Sequence, residues 1–221
     1  MSKFIKYHPD SALLIEFSAG NLAIAPSICV SAHIHFCRKC RDELLRLDEV
    51  GSQIMDKIDP APIADDLLGA VMAKIDNPSS SSTEKKAQKN VTGFPSSINI
   101  LMKDLQSALT WRRLSPSIDI SQFQTGQAGF EVALHRIRPG GLTPKHDHEG
   151  SEYTVVLKGS FSDENAVYQE GDFLFRRPGD VHQPVGSQNG ECICLSALSA
   201  PIKLSHPLGF LMKPWLRINP M

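Results

Sequence analysis

Apolar positions in the first 110 residues recur with the 3.6-residue period of helices that bury one side, whereas those after Trp111 come in short alternating runs. A first helix is expected after Tyr7-His8-Pro9-Asp10. Pro9 or Asp10 lies in its first turn, Leu13, Leu14 and Phe17 follow at helical spacing, and Ala19-Gly20-Asn21 closes it. A second, longer helix is expected from about 26 to about 50. It carries Leu44, Leu45 and Leu47 toward a core and has Gly51 in its C-cap region. After the Pro-rich break Asp59-Pro60-Ala61-Pro62, Leu67, Leu68, Val71 and Ile75 mark a short amphipathic helix over 64–75. Residues 77–90, NPSSSSTEKKAQKN, contain no aliphatic side chain larger than alanine and read as a flexible linker, because burial cannot repay the cost of ordering them. A fourth helix follows over 97–109, with Ile98, Leu101, Met102, Leu105 and Leu109 on one stripe. It either packs as core or reaches out to cover a partner.

Beyond Trp111 the runs are β-rich and separated by Gly and Pro breaks, the pattern of an all-β sandwich or barrel. Strands are expected over 130–137, 152–157, 172–175 and 191–198. Composition narrows the function. A net charge of −1 gives no electrostatic basis for binding nucleic acid directly. There is no run of eighteen apolar residues, and Lys3, Lys6, Asp10 and Glu16 interrupt any leader-like start, so a cytoplasmic protein is expected. Five cysteines, an odd number and partly in metal-like spacing, suit a reducing compartment better than a disulfide framework.

Two clusters carry chemistry. In AHIHFCRKCRDELL, residues 32–45, His33, Cys37 and Cys40 are spaced to share one face of a continuous helix, with His35 on the opposite face. Two thiolates and two imidazoles make a closed tetrahedral zinc site, and His8, the only upstream histidine, completes the set His8, His33, Cys37 and Cys40. A redox pair or two buried thiols are the competing readings of the cysteines. The former is disfavoured because no strand precedes the motif, the latter because Arg38, Lys39, Arg41 and Asp42 make the other faces polar.

The second cluster runs from Gly140 to Gly159 and matches the first cupin motif, G-x5-H-x-H-x3-E-x6-G, at every fixed position. Residues two apart on a strand point the same way, so His146 and His148 both face a barrel interior, and Glu152 returns on the next strand. Gly171, separated from His182 by ten residues, and Gly179 match the second motif, although Arg177 stands where that motif has proline and Gly186 replaces its trailing Asn. His146, His148, Glu152 and His182 then form a nitrogen and oxygen set for zinc, iron, manganese or nickel. Cys192 and Cys194 alternate with Ile193 and present both thiols to one face, either as plain core residues or as oxidation-sensitive groups. A disulfide between them would require local distortion of the strand. His135, His206 and Cys29 match no ligand spacing and read as structural.

A helical His-x3-Cys-x2-Cys module joined by a linker to a cupin closely resembles the ChrR family of zinc-dependent anti-sigma factors over nearly the whole chain. The resemblance implies a multidomain α plus all-β protein: an N-terminal helical bundle forming a zinc-binding anti-sigma domain, then a cupin-type β-barrel, a double-stranded β-helix. The expected divisions are 1–76 for the helical domain, 77–96 for the linker, 97–110 for the fourth helix and 111–221 for the cupin. The family's structural zinc ligands fall on His8, His33, Cys37 and Cys40. Its cupin metal ligands, usually also for zinc, fall on His146, His148, Glu152 and His182. The family binds an extracytoplasmic-function (ECF) sigma factor, and its cupin serves the response to singlet oxygen or organic hydroperoxides. Leu67, Leu68, Val71, Leu101, Leu105 and Leu109 are then candidates for the sigma-binding surface, and Cys192 and Cys194 for oxidant sensitivity. The rival expectation is a cupin metalloenzyme such as an iron dioxygenase, with a helical dimerisation appendage.

Overall fold

The computed structural model describes residues 4–77, 95 and 110–204. Four helices come first: α1 (Ser11–Ser18), α2 (Ile24–Phe36), α3 (Arg38–Met55) and α4 (Leu67–Asp76). The Asp10 carboxylate caps α1 by accepting the Leu13 N–H at 2.8 Å, and Gly20, at φ +71°, turns the chain away from its end. The stripe Leu101, Leu105 and Leu109 of the expected fourth helix lies outside the described residues, as does His206.

The long second helix expected from the sequence is two helices. Cys37 breaks it with extended backbone (φ −98°, ψ 105°), and its sulfur caps α3 by accepting the Cys40 N–H at 3.4 Å. The break has a geometric reason. In a continuous helix His33 and Cys40 would lie about 10 Å apart along the axis, too far to share an ion. Gly51 does not end α3, which continues to Met55. Leu44 reaches the core, Leu47 is half-buried, and Leu45 faces outward.

The β half contains a six-stranded antiparallel sheet in the order β1 (Arg112–Ser115), β2 (Ile118–Phe123), β3 (Glu131–Ile137), β10 (Cys192–Leu198), β5 (Glu152–Lys158), β8 (Phe173–Arg176). Across from it are a pair, β4 (His146–His148) with β11 (Ile202–Leu204), and a triplet, β7 (Val167–Gln169), β6 (Ser160–Ser162), β9 (Val185–Gly186). Between the sheets lies a cavity of about 250 Å³ whose walls include Ile118, Ile137 and Leu174 on one side and Phe161, Pro184 and Leu204 on the other.

The large sheet is buried on both faces. Leu195 lies between Leu134 and Val155, and these three belong to one apolar cluster with Ala25, Cys29 and Val30 of α2. Cys192 and Cys194 point the other way, into a cluster with Ile137, Val156, Phe161 and Leu174. The helical half therefore shares a core with the barrel. Polar contacts reinforce the seam: the Gln127 side-chain oxygen accepts the Ala25 N–H at 2.9 Å, and the Cys29 thiol lies 3.5 Å from the Tyr153 carbonyl. Cys29 is structural, as its sequence context suggests, and burial raises its pKa so that it stays a thiol.

Candidate metal centres

The first centre forms where the segment before α1 crosses the α2–α3 junction. His8 comes from that segment, His33 from the last turn of α2, Cys37 from the break and Cys40 from the first turn of α3. One donor atom from each of the four lies within 4.8 Å of every other. His33 Nε2 is 3.3 Å from Cys40 Sγ, and His8 Nδ1 is 3.3 Å from Cys37 Sγ and 3.5 Å from Cys40 Sγ. Tetrahedral coordination at ordinary Zn–N and Zn–S lengths separates ligand atoms by roughly 3.3–3.8 Å, so the donor set fits a four-coordinate ion. His33 Nδ1 lies 2.7 Å from the Gly171 carbonyl, which accepts a hydrogen bond from Nδ1–H and so leaves Nε2 free as the metal donor.

The electrostatics agree with that fit. Burial lowers His33 to about 4, so its imidazole is neutral at physiological pH. Burial and the adjacent Cys37 push the Cys40 thiol up to about 12. Without a cation Cys40 resists ionisation; a bound divalent ion would reverse that balance and hold its thiolate. His35, on the far side of α2, is exposed and takes no part.

The second centre lies inside the barrel. His146 and His148 point inward from β4, and His182 meets them through a bridge pairing residues 146 and 182. His182 Nε2 stands 3.0 Å from His146 Nε2 and 3.1 Å from His148 Nε2. Three imidazoles around one ion at about 2.0–2.1 Å place their nitrogens roughly 2.9–3.4 Å apart, so this set also fits a metal. Glu152, the first residue of β5, places Oε2 3.3 Å from His148 Nε2, while its Oε1 accepts a hydrogen bond from Thr154 at 2.9 Å. Burial opposes its charge, but His148, His182 and His146 outweigh that and lower its pKa.

Outer partners hold the imidazoles. His146 Nδ1 donates to the Pro144 carbonyl at 2.9 Å, and His182 Nδ1 faces Asp163 Oδ2 at 3.2 Å. The Asp163 side chain is fully buried and also accepts from Arg176 at 2.6 Å. No sequence spacing singles out Asp163, whose role arises only when the turn before β7 folds back over His182. Cys192 and Cys194 face the interior as expected, with their sulfurs 3.6 Å apart, and Cys194 lines the cavity beside the metal ligands. Hydrogen bonding to Cys192 and burial raise the pKa of Cys194, so its resting form is the thiol. His135 also lines the cavity, and its Nε2 has no hydrogen-bond partner among the described residues.

These features recur in known proteins. The ChrR Cupin-like domain family matches residues 104–200. The Anti-sigma-E factor ChrR of Cereibacter sphaeroides is 31% identical over 215 residues, covering 97% of this chain and 99% of that protein. The crystal structure of Rhodobacter sphaeroides SigE in complex with the anti-sigma ChrR matches with a TM-score of 0.75 at 29% identity, over 88% of this chain and 100% of that one. The similarity spans the helical half and the barrel together. This chain belongs to the ChrR family of anti-sigma factors, regulators rather than enzymes.

Proposed function

We propose that this chain holds an ECF sigma factor away from RNA polymerase through its helical half, and that the barrel triggers release when it meets an oxidant. The observation that carries this reading is an apolar face left exposed among the described residues. The end of α3 and all of α4 expose Ile54, Met55, Leu67, Leu68, Val71 and Ile75, and α4 has no buried residue. A face of this kind on a folded chain marks a protein-binding surface. Leu67, Leu68 and Val71 are all exposed, which supports their use in binding a partner. The functional divisions proposed are a helical anti-sigma domain over 1–76 and 97–110, a linker over 77–96 and a cupin over 111–221.

Zinc is the proposed ion at His8, His33, Cys37 and Cys40, because a closed set of two sulfurs and two nitrogens suits it and leaves no open coordination position. Zinc is also proposed for His146, His148, Glu152 and His182. The adjoining cavity supports an organic hydroperoxide as a signal. Its volume of about 250 Å³ accommodates roughly eight non-hydrogen atoms at the density of liquid water. Singlet oxygen, small and apolar, fits the same space. A hydroperoxide that takes two electrons from the Cys192 and Cys194 thiols leaves an alcohol, water and a disulfide. That bond distorts β10, whose other face packs against α2.

The test is transcription by purified RNA polymerase with an ECF sigma factor from the same organism as this chain. The zinc-loaded full chain is expected to inhibit, and Leu68→Asp with Val71→Asp is expected to relieve inhibition. Cys192→Ser with Cys194→Ser should still inhibit but no longer respond to tert-butyl hydroperoxide. Failure of the folded, metal-loaded chain to inhibit an active sigma factor overturns the reading.

A further inference from the structure

We propose that the barrel turn Gly171-Asp172 is a positioning element of the helical metal centre, so that this centre reaches its full affinity only while the barrel holds its two histidines. The inference rests on the metal reading above and adds a barrel contribution that the four ligands do not reveal.

Both histidines are held by this turn. The Gly171 carbonyl accepts the Nδ1–H of His33, as described. Asp172, fully buried, anchors the other side: its Oδ1 accepts the N–H of Lys6 at 2.8 Å and of Tyr7 at 3.0 Å, and its Oδ2 accepts the N–H of Gln169 at 2.9 Å. The next residue continues the clamp, since Phe173 donates its N–H to the Tyr7 carbonyl at 3.0 Å. His8 follows directly on this clamped segment. Its position is therefore set by the barrel as well as by the ion. The Tyr7 ring also packs on Tyr168 of β7 at 4.9 Å between centroids, and the His33 ring stands edge-on to Phe173 at 5.8 Å.

The turn admits only glycine at position 171. Its φ of +93° disfavours any side chain, and a Cβ there would lie 2.7 Å from Ile5 Cδ1 and 3.0 Å from Phe36 Cβ. Ile5 and Phe36 flank the two metal-bearing segments, so the barrel backbone approaches the centre as closely as an atom-bare residue permits. Outer partners of this kind commonly contribute 10- to 100-fold to metal affinity by fixing ligand orientation.

The experiment uses the full chain, with cobalt(II) as a spectroscopic stand-in at the helical centre, where thiolate-to-cobalt charge-transfer bands report Cys37 and Cys40 alone. Affinity is read by competition with zinc and a chromophoric chelator. Asp172→Asn is expected to weaken cobalt and zinc binding at the helical centre roughly 10- to 100-fold. Circular dichroism and the affinity of the barrel centre should stay at parent values. Lys6→Pro removes one of the clamped N–H donors from the helical side, leaves the barrel sequence intact, and is expected to act in the same direction. It decides the matter should Asp172→Asn fail to fold. Affinity within twofold of the parent in the folded variants overturns the proposal and leaves the metal reading standing. Absence of thiolate bands in the parent overturns the metal reading itself.

Discussion

The two metal centres are built on opposite plans. The barrel centre takes its histidines from backbone already fixed by pairing: β4 is registered on β11, with His148 opposite Ile202 and His146 opposite Leu204, and His182 bridges to His146. Its donor geometry is in place before any ion arrives. The helical centre draws four ligands from three segments that meet at a helix break, where the barrel turn contacts His33 and a bound ion would tie all four donors together. Similar donor types thus serve different ends. On the proposed metal reading, binding at the helical centre is part of folding, whereas the barrel donors converge on strands already held by their own pairing.

The largest expected effect follows from that contrast. Stripping all metal from the full chain with a strong chelator should remove on the order of 10 kcal/mol from the helical side. In hydrogen exchange α1–α3 should lose protection while β3, β5 and β10 keep theirs; simultaneous loss in both halves would erase the distinction. Leu195→Ala comes next. This side chain is fully buried in the core that joins strand to helix, so its truncation should cost about 2–5 kcal/mol in denaturant unfolding and destabilise both halves. Asp163→Asn should weaken metal binding in the barrel about 10- to 100-fold by releasing His182 and leave the cobalt–thiolate spectrum of the helical centre unchanged. The smallest change in stability is expected for Leu68→Asp, within about 0.5 kcal/mol because the side chain is exposed. Sigma binding, read by co-purification, should nonetheless fall. A large loss of stability would show that α4 is packed as core.

Ligand chemistry was readable because donors announce themselves by residue type and spacing. His146, His148 and His182 converge as the motif requires, and His8 joins a cluster that lies 25 or more residues away in the chain. The path of the backbone between donors was less legible. Helical periodicity runs unbroken through Cys37, and nothing in the letters says that a thiol will cap a new helix there. Residues that support the donors were hidden for a related reason. Asp163 and Asp172 act through contacts 19 and 165 or more positions away, which no local pattern encodes. The same holds for the shared core: the apolar alternation of the strands identifies two faces but not what covers the second.

Strand β10 is the extreme case of that sharing. All seven residues are buried, with Cys192, Cys194, Ser196 and Leu198 turned toward the cavity side and Ile193, Leu195 and Ala197 toward the helices. A strand without a solvent face has no neutral positions. Saturation mutagenesis across it should find every site depleted, and a change tolerated on one side will call for compensation from the half it touches. The helices and the barrel are consequently bound to one evolutionary history, and grafting a relative's barrel onto these helices requires carrying over the α2 surface that seals it.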